Sequence, residues 1–541
     1  MNYLISITQL RVILAMLMAV LLMIVVPNPL VQAATITVTN ITDTGAGSLR
    51  QAIVDANAGD TITFDSSIAG QTIITSKPAN GNNNINVDLT IDGTTNNITI
   101  NGIGDWIFLV AQDKALTFKN ITLDMDSGGS NRGNIDMRNS GTLTFDNVTM
   151  TNSAPFDLGV MFVTQGTGSP APIVNISNST FTNNTPTGMG SAILTMYEGQ
   201  LTITNSVFDN NGSVTSNQNY GGVITLRINA SAQISNSIFS NNTSAQGFGA
   251  AILTRNSANL TVYSSLFYNN TSKNGGAIAA MDTSNVILHN STLYNNTSTV
   301  HSSNSVGGIG YYTTSTGKIF NSTISGNTGH SSVAGGLYVA SGTSIELVNS
   351  IIANSTSGTD CRNNGSITVN TNNLIEDGTC SGGATGFVIG APNLGPLQDN
   401  GGTTQTMALL VGSPAINAGD NATCESTDQR GATRPKSVAD PCDIGAYEIA
   451  IPVAPSALIA TAVSQTQIDL AWTDNSVIET GFKIERAGSL ITTTAADATS
   501  YSDSGLSCGT TYNYSVKATN ATGDSTATSA SATTSSCPAL P

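Results

Sequence analysis

Charge is scarce in this chain of 541 residues: Asp, Glu, Lys and Arg together make up 10%. Eighteen basic side chains stand against 34 acidic ones, and the balance of −16 argues against a nucleic-acid backbone as partner. With so little charge, the surface must be solvated by Thr, Ser and Asn. Proline is also sparse, at 16 residues, and with the strong periodicity described below this argues against disorder. The three histidines, His289, His301 and His330, share no metal-ligand spacing. No cysteine precedes Cys361, so everything before it is built without disulfides. The six cysteines fall late, as Cys361 and Cys380, Cys424 and Cys442, Cys508 and Cys537. Without Cys-x-x-Cys spacing or nearby His they argue against zinc. Sequential pairing would close three local loops, as suits an exported protein, although fifteen connectivities exist in principle.

Long apolar runs are missing too, save one. Arg11 precedes fifteen apolar residues, Val12 to Val26, and Val31-Gln32-Ala33 reads as a small-residue cleavage site. Residues 1–33 therefore read as a signal peptide, with an uncleaved anchor as the alternative. No later stretch is apolar and long enough to cross a bilayer, so no transmembrane segment is expected once the signal is removed.

What the chain has in abundance is one pattern written nine times: an apolar residue, a second two later, an Asn two after that, and a third apolar residue three beyond. Examples are Leu143-Phe145-Asn147-Met150, Val174-Ile176-Asn178-Phe181 and Leu201-Ile203-Asn205-Phe208. The Asn slot holds Asn120, Asn147, Asn178, Asn205, Asn236, Asn290, Asn321 and Asn349, with Ser264 as the exception. The first two apolar residues share one face of a strand. The second and third lie five apart, so both can be buried only if the chain turns a corner at the Asn. Asn tolerates the left-handed conformation, and stacked Asn side chains can bond along a stack. Strand, corner and strand recurring every 26 to 31 residues describe a parallel β-solenoid. Nine coils would make a rod on the order of 40 Å long. Asn-Asn pairs such as Asn210-Asn211 and Asn241-Asn242 follow the third apolar residue. Small pairs such as Gly190-Ser191, Gly221-Gly222 and Gly307-Gly308 open the next strand.

At the start of this array Leu49, Ala52, Ile53 and Ala56 fall at helical spacing, predicting a short amphipathic helix over the open coil end. Thr39-Asn40, Gly45-Ala46-Gly47-Ser48-Leu49-Arg50-Gln51-Ala52-Ile53 and Asn57-Ala58-Gly59-Asp60-Thr61-Ile62 resemble the start of bacterial surface proteins with pectate-lyase-like right-handed β-helices. Residues 412–448 contain Asp428-Gln429-Arg430-Gly431 and Asp443-Ile444-Gly445-Ala446-Tyr447-Glu448. They resemble the "choice-of-anchor Q" region of the same proteins and read as a C-terminal cap, with Cys424 and Cys442 as its staple. The resemblance implies an exported, surface-associated solenoid with no defined activity. It also implies a C-terminal sorting element, of which none is seen.

A linker, residues 451–455, opens a last domain, 456–538. Strand alternation at Ile468-Leu470-Trp472, Phe482-Ile484 and Tyr512-Tyr514-Val516, with Leu506 six before Tyr512, resembles a fibronectin type III sandwich. There Cys508–Cys537 could pin the last strands. The expected architecture is all-β: a right-handed parallel β-helix with a short N-terminal capping helix over 34–450, then this β-sandwich.

Candidate chemistry is thin. Polysaccharide lyases and hydrolases share the solenoid, but no two acidic residues stand at matching offsets in adjacent coils as a hydrolase needs. Two outward features remain. Tyr263, His289 and Phe320 occupy one outward position in successive coils, an aromatic strip suited to sugar faces unless a loop covers it. Arg227 and Arg255 are equivalent in adjacent coils, with Glu198 and Asp282 nearby. They would either grip a carboxylate or sulfate or form a solvated salt-bridge ladder. Asp124-Met125-Asp126-Ser127-Gly128 hints at calcium without the rest of a ligand set, and no other cofactor is implied. The expected function is that of a secreted or cell-surface, non-catalytic protein for adhesion or glycan binding. Its partners would be extracellular polysaccharide or cell-surface components. The alternative is a polysaccharide lyase or glycoside hydrolase.

Overall fold

A computed structural model describes residues 33–76, 83–94, 96–103, 107–125, 134–138, 140–154, 159–164, 170–186, 191–213, 221–300, 305–410, 412–435, 441–449, 452–476, 479–520 and 523–538. The leader over 1–32, Gly190, Asp126-Ser127-Gly128 and His301 lie outside these residues.

The repeat winds the chain into a parallel β-solenoid. In one coil the strand Gln200–Thr204 runs to a corner at Asn205, Val207–Asp209 runs to a second corner at Asn210, and the chain returns through Ile224–Arg227. The next coil stacks in register, Leu201 on Ala232, Ile203 on Ile234 and Phe208 on Phe239. Ile203 and Phe208 are both fully buried, which a straight strand would forbid. The bend that reconciles them is a left-handed residue: φ is +49° at Asn205, +52° at Asn236 and +44° at Asn290. All nine corner positions, Ser264 included, have positive φ. At Gly222 the adjoining coils come too close for a side chain, since an added Cβ would lie 1.7 Å from the carbonyl oxygen of Ala250.

The interior is stacked like with like. Phe181, Phe208, Phe239 and Phe267 form a column with ring centroids 4.9, 4.6 and 4.9 Å apart and nearly parallel planes. The coil repeat sets this spacing, close to the separation of hydrogen-bonded strands.

Two buried polar ladders flank the column, one behind each corner. The residue after the corner Asn is Ser179, Ser206, Ser237, Ser265, Ser291, Ser322 and Ser350 in successive coils. The N–H of Ser206 donates to Ser237 Oγ at 3.2 Å, that of Ser237 to Ser265 Oγ at 3.2 Å, and that of Ser265 to Ser291 Oγ at 3.1 Å. Each Oγ in turn donates to the carbonyl two residues before it, as Ser206 does to Thr204 at 2.8 Å. The side chain thus closes the gap that the bend opens in the sheet. In two earlier coils apolar Ile121 and Val148 stand at this position and pair with each other. There the strands Lys114–Asp124 and Gly141–Thr151 run unbroken through the bend.

The second ladder belongs to the second Asn of each Asn-Asn pair. Asn211 Nδ2 donates to Asn242 Oδ1 at 3.1 Å, Asn242 to Asn270 at 2.9 Å, and Asn270 to Asn296 at 2.9 Å. The same Asn242 amide also donates back to the carbonyl of Phe208 at 2.9 Å, so one side chain ties three coils. The expected stack of corner Asn side chains is not continuous. Asn147 donates to Asn120 at 2.8 Å and Asn205 to Asn178 at 3.5 Å, but Asn178 donates to Asp146 and Asn349 to Asp420 O. Many corner side chains face solvent, where water and neighbouring acids compete; the buried Asn meets only its own kind and the backbone of adjoining coils.

At the N-terminal end a helix, Leu49–Asp55, covers the first coil. Ser48 caps it by accepting the N–H of Gln51, and Leu49, Ala52 and Ile53 are buried. The segment expected as a C-terminal cap packs instead on the side of the coils, over outward-facing Ile351, Ala353 and Leu374. Residues 404–446 run back along the side of the solenoid, bonding to Ser264, His289, Asn290, Asn321, Thr323 and Asn349. The corner Asn side chains supply several of these contacts.

The last domain is a two-sheet sandwich. One sheet joins Ser456–Ala462, Gln467–Thr473 and Ser500–Ser504; the other is built on Gly481–Arg486 and Thr511–Asn520. Trp472, Phe482, Ile484, Leu506 and Tyr514 fill its core. The Ser507 N–H donates to the Tyr512 hydroxyl at 3.0 Å, a tyrosine corner.

Replacing Asn242 with Ala should leave the Asn211 backbone N–H unpaired in the interior and remove the bonds to the Phe208 carbonyl and to Asn270, a loss of about 1–3 kcal/mol. Replacing Asn205 with Gly keeps the left-handed bend and should cost well under about 1 kcal/mol. Native-state hydrogen exchange across coils 174–296 distinguishes the two, with protection falling only in the first variant.

Candidate functional site

The six cysteines pair sequentially, Cys361–Cys380, Cys424–Cys442 and Cys508–Cys537. The second bridge sits within the returning segment, whose interior is held by charge. Asp428, Arg434, Asp443 and Glu448 are all buried. Arg430 donates through Nε and Nη2 to Asp428 at 2.9 and 2.7 Å, and its guanidinium lies 3.7 Å over the Tyr447 ring. Arg434 approaches Glu448 at 3.3 Å with both side chains out of solvent. Asp443 accepts the N–H groups of Asn417 and Ile449, each at 2.7 Å. The charged residues of both motifs are thus bonded within this segment and hold its fold.

The aromatic strip forms as a stack. Tyr263 and His289 lie 4.8 Å apart at 11°, and His289 and Phe320 lie 5.3 Å apart at 25°. The strip is the seat of the returning segment, however. His289 Nδ1 meets Glu425 at 2.8 Å, Asn290 donates to the Thr427 carbonyl at 2.8 Å, and Thr292 donates to Gln429 at 2.6 Å. Tyr263 and Phe320 stay half-buried at its margins. Burial, helped by the nearby Lys318 charge, pushes the His289 pKa below its ordinary value; Glu425 works in the opposite direction.

The second outward feature stays half-exposed. Strands Leu194–Tyr197 and Ile224–Arg227 pair with Tyr197 beside Arg227, and the next step brings Arg255 alongside. The Arg227 guanidinium donates to the Tyr197 hydroxyl at 3.1 Å and lies 5.2 Å from its ring centre. Phe162 meets Tyr197 edge to face at 5.9 Å. Arg255 pairs with Asp282 at 2.6 Å. Glu198 instead contributes its backbone N–H to the Arg227 carbonyl. The two arginines are thus spread by separate partners, an aromatic on one side and a carboxylate on the other.

Beside this column lies a feature the periodicity did not reveal. Phe248, Val306 and Val333 fold over the outer face of the sheet that contains Ile224–Arg227 and bury Leu253, Ala279, Tyr312 and Tyr338. The signal was present as unbroken apolar runs such as Ala250-Ala251-Ile252-Leu253, where a strand covered on both faces replaces alternation.

Residues 212–330 match the family described as right handed beta helix region, and 453–535 match the fibronectin type III domain. An alpha-amylase of Niallia circulans is 45% identical over 85 residues; the match spans 15% of this chain and 6% of that protein. Among solved structures, the fn3 domain of human collagen alpha-1(XX) is 22% identical, covering 18% of this chain and 97% of that one, with a TM-score of 0.16. The FN5 domain of Drosophila Lar is 23% identical, covering 16% of this chain and all of that one, with a TM-score of 0.14. The chain therefore joins a right-handed parallel β-helix to a fibronectin type III domain. Its disulfides and fibronectin domain are consistent with an extracellular protein, and no helix among the described residues is long and apolar enough to cross a membrane.

Because folding disfavours the charged form of His289, its contribution to docking is whole above the ordinary value of 6.5 and declines as pH falls below it toward the depressed folded value. Hydrogen exchange in residues 420–430, corrected for intrinsic rates, should speed up between about pH 7.5 and about pH 5. A His289→Gln variant should flatten that dependence.

Proposed function

We propose that the protein is an exported, non-catalytic rod for adhesion or glycan binding. Its contact surface is the half-exposed column of Phe162, Tyr197, Arg227 and Arg255. The observation that supports this reading is the juxtaposition of two aromatic rings with two arginines whose guanidinium groups are fixed by Tyr197 and Asp282. Aromatic faces stack on the C–H faces of sugars, and guanidinium groups take carboxylates or sulfates through paired donors. An acidic polysaccharide offers both. The strip of Tyr263, His289 and Phe320 is the weaker candidate, because the returning segment already occupies its centre. The likeness to the choice-of-anchor Q region suits display at a bacterial surface.

A polysaccharide-directed enzyme is the competing reading, favoured by the relative named alpha-amylase. The shared stretch is 6% of that protein, too small a share to bring its activity across.

The full chain should bind acidic polysaccharides such as polygalacturonate on an array or in co-sedimentation. Tyr197→Ala and Arg227→Ala should each weaken binding by about tenfold, as the loss of one stacking or charged contact implies. Equal binding by wild type and both variants would move the site elsewhere. Release of unsaturated uronate products, lost in Arg255→Ala, would replace binding with lyase chemistry.

A further inference from the structure

We propose that the fibronectin type III domain carries a calcium site formed by Asp474, Glu479 and Asp497. These carboxylates come from two separate loops, and each offers an oxygen such that all three lie within 4.8 Å of one another. Three negative charges so close repel strongly unless something positive sits among them.

No side chain of the domain supplies that charge. Residues 453–538 contain only three basic residues, Lys483, Arg486 and Lys517. Each is committed to another acid: Lys483 to Asp524 at 2.8 Å, Arg486 to Asp503 at 2.8 Å and Lys517 to Glu485 at 2.7 Å. The cluster runs from solvent to interior: Asp497 is exposed, Asp474 half-buried and Glu479 buried. Glu479 is 7% exposed, and its Oε2 is buried with no hydrogen-bond donor among the described residues. Its Oε1 accepts only a long bond, from the Asp497 N–H at 3.3 Å. A buried carboxylate oxygen without a donor is costly, and a bound cation removes the cost. Asp474 accepts the Ser476 N–H at 2.9 Å through Oδ1, which leaves its other oxygen for a ligand role.

The chemistry of the donors selects the ion. All three are hard carboxylate oxygens, without His or Cys, which disfavours zinc. Calcium takes six to eight oxygen ligands, carboxylates among them, in a flexible geometry that two loops can supply. Magnesium demands near-ideal octahedral geometry and prefers to keep its waters. Backbone carbonyls and water would complete the shell.

The site lies where the linker joins the domain. Asn475, next to Asp474, donates to the carbonyl of Ala454 at 2.9 Å. A cation fixing the loop that holds Asp474 and Asn475 would therefore also fix the segment leading into the sandwich.

Full-length protein stripped of metal should bind one calcium per chain by titration calorimetry. The dissociation constant should be of the order 10⁻⁴–10⁻³ M, the range of extracellular modules. Terbium should report the same site through sensitised emission, because Trp472 stands two residues before Asp474. A Trp106→Phe background leaves Trp472 the sole tryptophan, and calcium should displace the signal. Glu479→Gln and Asp474→Asn should each weaken binding at least tenfold, while Glu485→Gln, which lies outside the cluster, should leave it unchanged. Absence of saturable calcium heat and terbium emission in the wild-type chain would overturn the assignment. So would unchanged affinity in the Glu479 and Asp474 variants.

Discussion

The architecture depends on how it handles the hydrogen bonds lost at each corner. A chain that bends sharply within a sheet orphans N–H groups that neighbouring strands would otherwise satisfy, and here those groups are buried. The solution is paired. A left-handed residue makes the bend, and the residue after it turns a short polar side chain inward to accept the orphaned N–H of the preceding coil. At the first corner that side chain is Ser; at the second it is Asn, which also reaches back to a carbonyl. The Ser ladder from Ser179 to Ser350 and the Asn ladder from Asn184 to Asn327 are thus substitutes for sheet hydrogen bonds. The phenylalanine column lies between these two hydrogen-bonded ladders.

This also explains which parts of the fold were legible in the sequence. The corner Asn announced itself because Ile203 and Phe208 cannot both be buried on a straight strand, and the positive φ of Asn205 is the direct consequence. The ladder was harder to place. Both Asn residues of a pair such as Asn241-Asn242 look alike in sequence, yet the first makes the turn and the second is buried. Only burial separates them, and burial depends on the neighbouring coils. The serine ladder was hidden for a similar reason, since Ser is also the residue expected on a polar surface.

The candidate sites were legible unevenly. Equivalence of Arg227 and Arg255 followed from counting along the repeat, but their partners, Tyr197 and Asp282, depend on rotamers that counting does not give. The fate of His289 depended on Glu425, 136 residues away and outside the repeat. In the last domain Glu479 and Asp497 are 18 residues apart in an antiparallel fold, where no fixed spacing marks an acidic cluster. Scarcity of charge sharpens the last of these readings: each of the three basic residues of the fibronectin domain can be traced to its acid, and an acid left over becomes conspicuous.

The Asn ladder has one more consequence. Every amide in it points the same way, its nitrogen toward the C-terminal neighbour and its oxygen toward the N-terminal one. Each rung therefore presents the same plug above and the same socket below. A duplicated stretch of the gene, inserted between rungs ahead of the coils that the returning segment grips, would find its hydrogen-bonding needs already met on both sides. Length is then a freely variable property of this molecule, and the distance between its two ends can evolve in whole steps without redesign of what lies inside.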